Sequence, residues 1–282
     1  MDLDIEKRIK HLYPQLGKQS KKLADYILKN GAKLSAITVA ELANKCNVSI
    51  ATVSRFPQQL GYSSFSQFKW SMVNDLSSTA SVQEVKQEDS PKVVAKKTLE
   101  SNIETLNGTF NLMQEKDLKK ALDLLVHANR IEFFGLGGSN IVALDAYHKF
   151  LRVPLNVLHD SEYHMALMQS TRLNHTDCAV VISHTGNDSD TLLLADSLKN
   201  NHVPMIVITS FPESPLASYG DVKFFSISED SKYRSEALLS LTSQLAINDC
   251  LYTLTAQYFG KKADRVLSNM RKTILQKHPG SN

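Results

Sequence analysis

Apolar positions along this chain follow two different rhythms. In the first 77 residues the spacing is helical: Ile5, Ile9 and Leu12 precede Pro14, Leu23 with Tyr26 and Ile27 form a second stripe, and Ala40, Leu42 and Ala43 a third. Spacings of three and four place such side chains on one helix face, the face that seeks a core. Further on, compact apolar runs at 131–134, 155–158, 178–182, 205–208 and 222–225 alternate with segments of helical periodicity. Strands that are apolar on both faces belong to a parallel sheet covered by helices on each side. The pattern therefore predicts an all-α bundle followed by an α/β domain with a five-stranded parallel sheet.

Residues 78–92 are polar and carry almost no aliphatic periodicity, which marks an exposed connector. The expected organisation is a helical domain over 1–77, a linker and connecting helix over 78–107, and an α/β domain with a C-terminal helix over 108–282. A length of 282 residues suits two domains better than one.

Charge sharpens that division. The net charge of +3 is too small to make the whole chain a polycation. Residues 1–77, however, hold 11 Lys and Arg against 6 Asp and Glu, and residues 78–282 hold 21 against 23. A head of +5 thus precedes a body of −2, and only the head is suited to a polyanion. With 42% hydrophobic and 22% charged residues, collagen-like, fibrous and disordered classes are excluded. No apolar run approaches the roughly 18 residues needed to span a membrane. The start Met1-Asp2-Leu3-Asp4-Ile5-Glu6 lacks the basic flank and apolar stretch of a secretory signal. A cytoplasmic protein without membrane partners is expected. Cys46, Cys178 and Cys250 form no Cys-x-x-Cys pair, so they read as small core residues, with no metal or cofactor implied.

The head carries one motif with chemistry. A helix with Leu42 and Ala43 should stop at Asn47, a residue that tolerates the left-handed turn, and Ser49 can cap a new helix. In that helix Val53, Phe56 and Leu60 face inward, which leaves Ala51, Thr52, Ser54, Arg55 and Gln58 pointing out. Small hydroxyl residues at a helix start, followed by an arginine on the same face, suit the major groove of DNA. An ordinary helical hairpin with a solvated arginine is the competing reading. Tyr62, Phe65, Phe68 and Trp70 follow at helical spacing and suit packing, with Lys69 either a phosphate contact or a solvated residue. Taken together, Leu-Ala-x(4)-Val-Ser-x(2)-Thr-Val-x-Arg-Phe and Leu-Gly-Tyr-x(2)-Phe-x(2)-Phe-Lys, within residues 38–70, resemble the N-terminal helix-turn-helix domain of the RpiR family of sugar-responsive transcription regulators. The resemblance implies double-stranded operator DNA as a partner, with Ser49, Ala51, Thr52, Ser54, Arg55, Gln58 and Lys69 as contacts. Pro57 departs from it, and predicts a kink or early end to the recognition helix.

Two strand-to-helix junctions in the body also carry chemistry. Gly135-Leu136-Gly137-Gly138-Ser139-Asn140 follows the first apolar run, and Ser183-His184-Thr185-Gly186-Asn187-Asp188-Ser189 follows the third. Glycines admit close backbone approach, and the free N–H groups of a helix start favour an anion. A dinucleotide site competes for the first junction, but the third glycine of its fingerprint would fall at Asn140 and no clear ribose-binding acid follows at His159. Each junction alone is as often a plain turn. Both together, with Thr209-Ser210-x(3)-Ser214-Pro215-Leu216-Ala217, resemble the SIS phosphosugar-binding domain over about residues 128–260. That resemblance implies that Ser139, Ser183 and Thr185 hold a phosphate, with N–H groups near Gly186 and Asn187 assisting; Glu236, near the start of the long final helix, is expected as a contact to the ligand's hydroxyls. Asp188 departs from the family pattern, since a carboxylate repels phosphate unless it is turned away or neutralised. Ser189 substitutes if the loop shifts by one residue, and an unphosphorylated ligand fits as well.

The expected function is a DNA-binding regulator of sugar metabolism genes, acting as a homodimer or higher homo-oligomer under a phosphosugar effector. A sugar-phosphate aldose–ketose isomerase is the alternative, with His159, Glu162, His164 and Glu236 as candidate bases, and a ligand-free dimerisation body is a third reading. No pKa-tuning partner is visible for any of these bases, so no enzyme is expected.

Overall fold

The computed structural model describes residues 5–30, 37–62, 65, 67–72, 85–227 and 236–275. The chain forms two compact units, Met1–Leu112 with Ile227–Leu239, and Met113–Ser226 with Ser240–Asn282. The first unit ends at Leu112 because Pro91–Leu112 is one continuous helix. Part of the polar connector, residues 78–84, lies outside the described residues.

The head contains α1 (Ile5–Leu12), α2 (Lys18–Asn30), α3 (Val39–Cys46) and α4 (Ile50–Gln59), followed by a helical stretch at residues 67–72. Their apolar faces meet in one core built from Ile9, Leu23, Leu42, Val53, Phe56, Leu60 and Phe68. The Phe68 ring meets Phe56 and Tyr62 edge-on, at centroid distances of 5.9 Å and 5.5 Å. Such pairs hold an aromatic core more specifically than area alone. The helix α3 starts with a complete capping box, in which the Thr38 side chain accepts from the Glu41 N–H and Glu41 reaches back to the Thr38 N–H. It ends at Asn47 in the left-handed conformation, φ 51° and ψ 56°, which turns the chain into α4 as the sequence predicts.

Of the kink or early end expected at Pro57, the early end needs correction. The helix α4 runs on through Pro57 to Gln59. One amide is lost, the one that would have donated to the Val53 carbonyl. The pyrrolidine ring is buried in the core beside Phe56 and Leu60.

The second unit begins with α6 (Glu115–His127), which follows the connecting helix α5 (Pro91–Leu112). Its elements are β1 (Ile131–Gly135), α7 (Gly138–Phe150), β2 (Val157–His159), α8 (Tyr163–Ser170), β3 (Cys178–Ile182), α9 (Ser189–Asn200), β4 (Met205–Thr209), β5 (Val222–Phe225), α10 (Glu236–Phe259) and α11 (Lys261–Leu275). The five strands are all parallel, in the order β2-β1-β3-β4-β5. Alternate side chains of each strand serve opposite faces. Ile131, Phe133, Val180, Ile182, Ile206 and Ile208 pack with α6, α7 and α10, while Phe134, Ala179, Val181 and Val207 pack with α8 and α9. The second strand forms later than its apolar run suggests, because Leu155 donates back to the Val153 carbonyl in a turn. A second correction concerns the cysteines: Cys46 and Cys178 are buried, but Cys250 is exposed on α10.

The sheet contains one polar anomaly. Glu132 lies inside β1, is 0% exposed, and among the described residues neither carboxyl oxygen has a hydrogen-bond partner. Its neighbour Arg130 is committed elsewhere, holding both Asp177 oxygens at 3.1 Å and 2.7 Å. Burial, and then the charge of Asp160, push the Glu132 carboxyl from its ordinary 4.5 up to about 8.

An acid whose pKa is raised by folding binds its proton more tightly in the folded state. Stability is therefore expected to fall as pH rises from about 4.5 to about 8. At roughly 1.4 kcal/mol per pH unit, the loss is bounded at about 5 kcal/mol. Chemical denaturation of the full chain across this range should show the decline, and Glu132→Gln should flatten it and exceed the wild type in stability above pH 8.

Candidate functional site

The exposed side of α4 is built by caps and core together. The Ser49 hydroxyl accepts from the Thr52 N–H at 3.1 Å and contacts the Thr52 hydroxyl at 2.8 Å, which fixes the first turn. Because Val53, Phe56 and Leu60 are anchored in the core, the rest of the helix has one orientation. Ala51, Ser54, Arg55 and Gln58 are exposed and Thr52 is half-buried, so the structure brings these expected contacts onto one surface. Lys69 does not join them. It is only 4% exposed, and burial pushes its ammonium pKa down against the opposing charge of Glu41. Neither of its expected positions, on a phosphate or in solvent, matches a side chain so enclosed. Sequence reasoning missed Ile50, which is 59% exposed at the first position of α4. Its signal was available, since a large apolar residue stood off the inward stripe.

The second candidate lies at the carboxyl edge of the sheet. The strand order reverses between β1 and β3, the topological switch point at which open α/β sheets bind ligands. The loops after these two strands meet there: the His184 N–H donates to the Ser139 hydroxyl at 3.3 Å. Ser139 and Ser183 are buried. The Ser183 hydroxyl accepts from the Gly186 N–H at 3.1 Å, and the Thr185 hydroxyl, on an exposed residue, accepts from the Asn187 N–H at 3.4 Å. Four of the expected ligand residues thus share one loop, with Ser139 tied to it. Glu236 opens α10, but its side chain lies outside the described residues.

Asp188 is neither turned away nor left loose. It is the N-cap of α9, with one oxygen accepting from the Thr191 N–H at 2.8 Å and the other accepting from the Ser183 hydroxyl at 3.2 Å. Ser189, the alternative hydroxyl, is the first residue of α9 and is exposed.

Beneath the loop runs a polar chain that the sequence did not suggest. His184 Nδ1 lies 2.9 Å from the Ser210 hydroxyl, Ser210 lies 2.7 Å from the Ser226 hydroxyl, and Gln244 Nε2 donates to Ser226 at 3.4 Å. Two members, Ser210 and Ser226, come from the ends of neighbouring strands and are fully buried. Thr209 also donates to the His184 carbonyl at 3.0 Å, so the loop backbone is fixed from below.

The candidate bases have other duties. Glu162 caps α8 by accepting from the Met165 N–H at 2.8 Å, and backbone hydrogen bonds from His164 and Met165 hold its carboxyl below the usual range. That makes it a weaker base, not a stronger one. His159 Nδ1 lies 2.8 Å from the Phe133 carbonyl, and the His164 ring stacks at an angle near Tyr163.

Against known proteins, residues 3–79 match the rpiR-family helix-turn-helix domain and residues 124–254 match the SIS domain. An HTH-type transcriptional regulator of Thermotoga maritima is 31% identical over 277 residues, covering 97% of this chain and 98% of that protein. The HTH-type transcriptional regulator HexR of Pseudomonas aeruginosa is 33% identical over 216 residues, covering 76% and 75%. Among solved structures, the Vibrio vulnificus NanR protein complexed with ManNAc-6P superposes with a TM-score of 0.62 at 21% identity, covering 98% of this chain and all of that one. At that identity the likeness is one of fold.

The loop geometry makes one position sharply sensitive. Gly186 has φ +59°, and a Cβ there would lie 2.4 Å from the Ser214 hydroxyl oxygen and 2.7 Å from the Ser214 Cβ. Both the backbone conformation and the space exclude a side chain. Gly186→Ala should destabilise the second unit by about 1–3 kcal/mol, seen as a lower unfolding midpoint by circular dichroism.

Proposed function

The chain belongs to the rpiR family of helix-turn-helix transcriptional regulators, and from that membership we propose that it reads a two-fold DNA operator through α4, under control of a phosphosugar held at the carboxyl edge of its SIS unit. The observation that carries the DNA reading is the single outward surface of Ala51, Thr52, Ser54, Arg55 and Gln58 on a helix fixed by Ser49. Arg55 suits the O6 and N7 acceptors of guanine, Gln58 an adenine edge, and the hydroxyls of Thr52 and Ser54 phosphates or bases. Ile50 adds an apolar surface suited to a thymine methyl group. A helix-turn-helix protein reads paired half-sites as a dimer, so a homodimer or higher homo-oligomer in the cytoplasm is the functional form.

On the effector side, Ser139, Ser183 and Thr185 supply hydroxyls, and Gly186 and Asn187 supply N–H groups. The meeting of the β1 and β3 loops supports this site, as does the ManNAc-6P complex of the structurally similar NanR. The SIS unit is a sensor and not an isomerase in this reading, which the regulator relatives support and to which the cap duty of Glu162 adds.

Gel-shift titration on DNA flanking the gene tests the proposal. A sequence-selective complex that weakens with salt is expected, and sugar phosphates should change its affinity. Arg55→Ala should weaken the specific complex by about tenfold or more and relax selectivity at one base position, the equivalent of ~1–3 kcal/mol for a bidentate contact. No selective complex under any salt or sugar phosphate condition would refute the DNA reading, and measurable aldose–ketose turnover of a phosphosugar would refute the sensor-only reading.

A further inference from the structure

A phosphate bound to a protein commonly takes a helix N-terminus together with nearby hydroxyl donors. At the start of α9 those donors already have an anion. The Asp188 carboxylate accepts from the Thr191 N–H in the first turn and from the Ser183 hydroxyl, which in turn accepts from the Gly186 N–H. A hydroxyl and a helix amide from the switch-point loop therefore converge on a side chain that carries its own negative charge.

The surroundings deepen that charge. The described residues that follow the first four strands at this edge, 136–141, 159–164, 183–191 and 210–215, include Asp160, Glu162, Asp188, Asp190 and Glu213 but no lysine or arginine. Tyr163 lies beside these charges: burial first, then the charge of Asp190, a hydrogen bond with it and the charge of Asp188 push its phenol pKa up. A sugar phosphate carries close to two negative charges at neutral pH. Along these four loops it would meet acidic side chains, with the donors of Ser183 and Thr191 already occupied.

We propose that Asp188 is the internal competitor of the effector's phosphate: its carboxylate holds the Ser183 and Thr191 donors until a phosphorylated ligand displaces it, and so sets both the affinity threshold and the discrimination between phosphorylated and unphosphorylated sugars. The inference rests on the carboxyl edge being the effector site. It differs from a plain capping role, because a cap needs an acceptor at position 188 but not a charge. Asparagine and serine cap helices about as well as aspartate. Asp188→Asn and Asp188→Ser therefore keep the start of α9 while removing the competing anion, and either one suffices if the other fails to fold.

The test is isothermal titration calorimetry on the full chain and both variants. Inorganic phosphate is the first probe, followed by a panel of pentose, hexose and hexosamine phosphates with their unphosphorylated parents. Removing one charge within contact distance of a dianion should tighten phosphate and sugar phosphate binding by about tenfold or more, with binding of the parent sugars unchanged. Equal or weaker phosphate binding by both variants overturns the proposal while leaving the effector site in place, provided the wild type binds a sugar phosphate. Failure of all three proteins to bind any phosphate or sugar phosphate overturns the proposal and the effector reading together.

Discussion

Parallel pairing of β1 with β3 is the constraint on which the carboxyl edge of the sheet depends. The register sets Gly135, the last residue of β1, beside Ile182, the last residue of β3. Both chains therefore leave the sheet at the same level, and the loops that follow are close enough for the His184 N–H to meet the Ser139 hydroxyl. The strand order then sends α7 to one face and α9 to the other, which sets two helix starts on either side of the switch point. A slip of one residue would do more than misalign the loops. It would turn Phe133 and Phe134 to the wrong faces of a sheet buried on both sides, which is why the apolar pattern fixes the register so firmly.

Within that frame, the unsatisfied N–H groups of helix starts decide how polar side chains are used. The first turn of every helix leaves donors without intrahelical partners. Thr38, Ser49, Glu162, Asp188 and Ser214 each meet this need by accepting a backbone N–H three residues ahead. By contrast α7 has no side-chain cap, and its preceding residue is Gly137 at φ 54°. Hydroxyl and carboxyl groups near a strand end are thus partly structural, and their presence in a motif does not by itself make them ligand donors. The Ser183 hydroxyl is the informative case, since it serves its own loop through Gly186 and the Asp188 carboxylate at once.

Much of this was legible from the sequence because burial on both faces leaves an unmistakable pattern. Cys178–Ile182 and Val222–Phe225 form strands over the same residues as their apolar runs, and the outward surface of α4 follows directly from the inward spacing of Val53, Phe56 and Leu60. What escaped were features set by tertiary context. Lys69 lies among the aromatics of the head and is enclosed with them, although its chemistry suggested solvent. Pro57 was expected to kink α4 or end it early, and α4 runs on to Gln59 with Pro57 buried. The carboxylate of Asp188 was visible as an irregularity, but its direction depended on a cap that only the folded loop defines. Glu132 stood inside an apolar run as a quiet contradiction, and its cost emerges only once Arg130 is seen to belong to Asp177.

For the proposed DNA reading, charge placement implies a division of labour within the head. The helix α4 contains one basic residue, Arg55, so it can supply base discrimination but little of the general attraction to phosphates. The positive charge lies mainly elsewhere, with Lys18, Lys21, Lys22 and Lys29 on α2 against the single acid Asp25, which accepts from the Tyr13 hydroxyl at 2.7 Å. Counterion release scales with the number of phosphates neutralised, and not with the number of bases read. Salt sensitivity should therefore track α2, and sequence selectivity should track α4. In this proposal the net charge of the head, shared by α1 and α2, and the pattern of α4 are two separate determinants of binding.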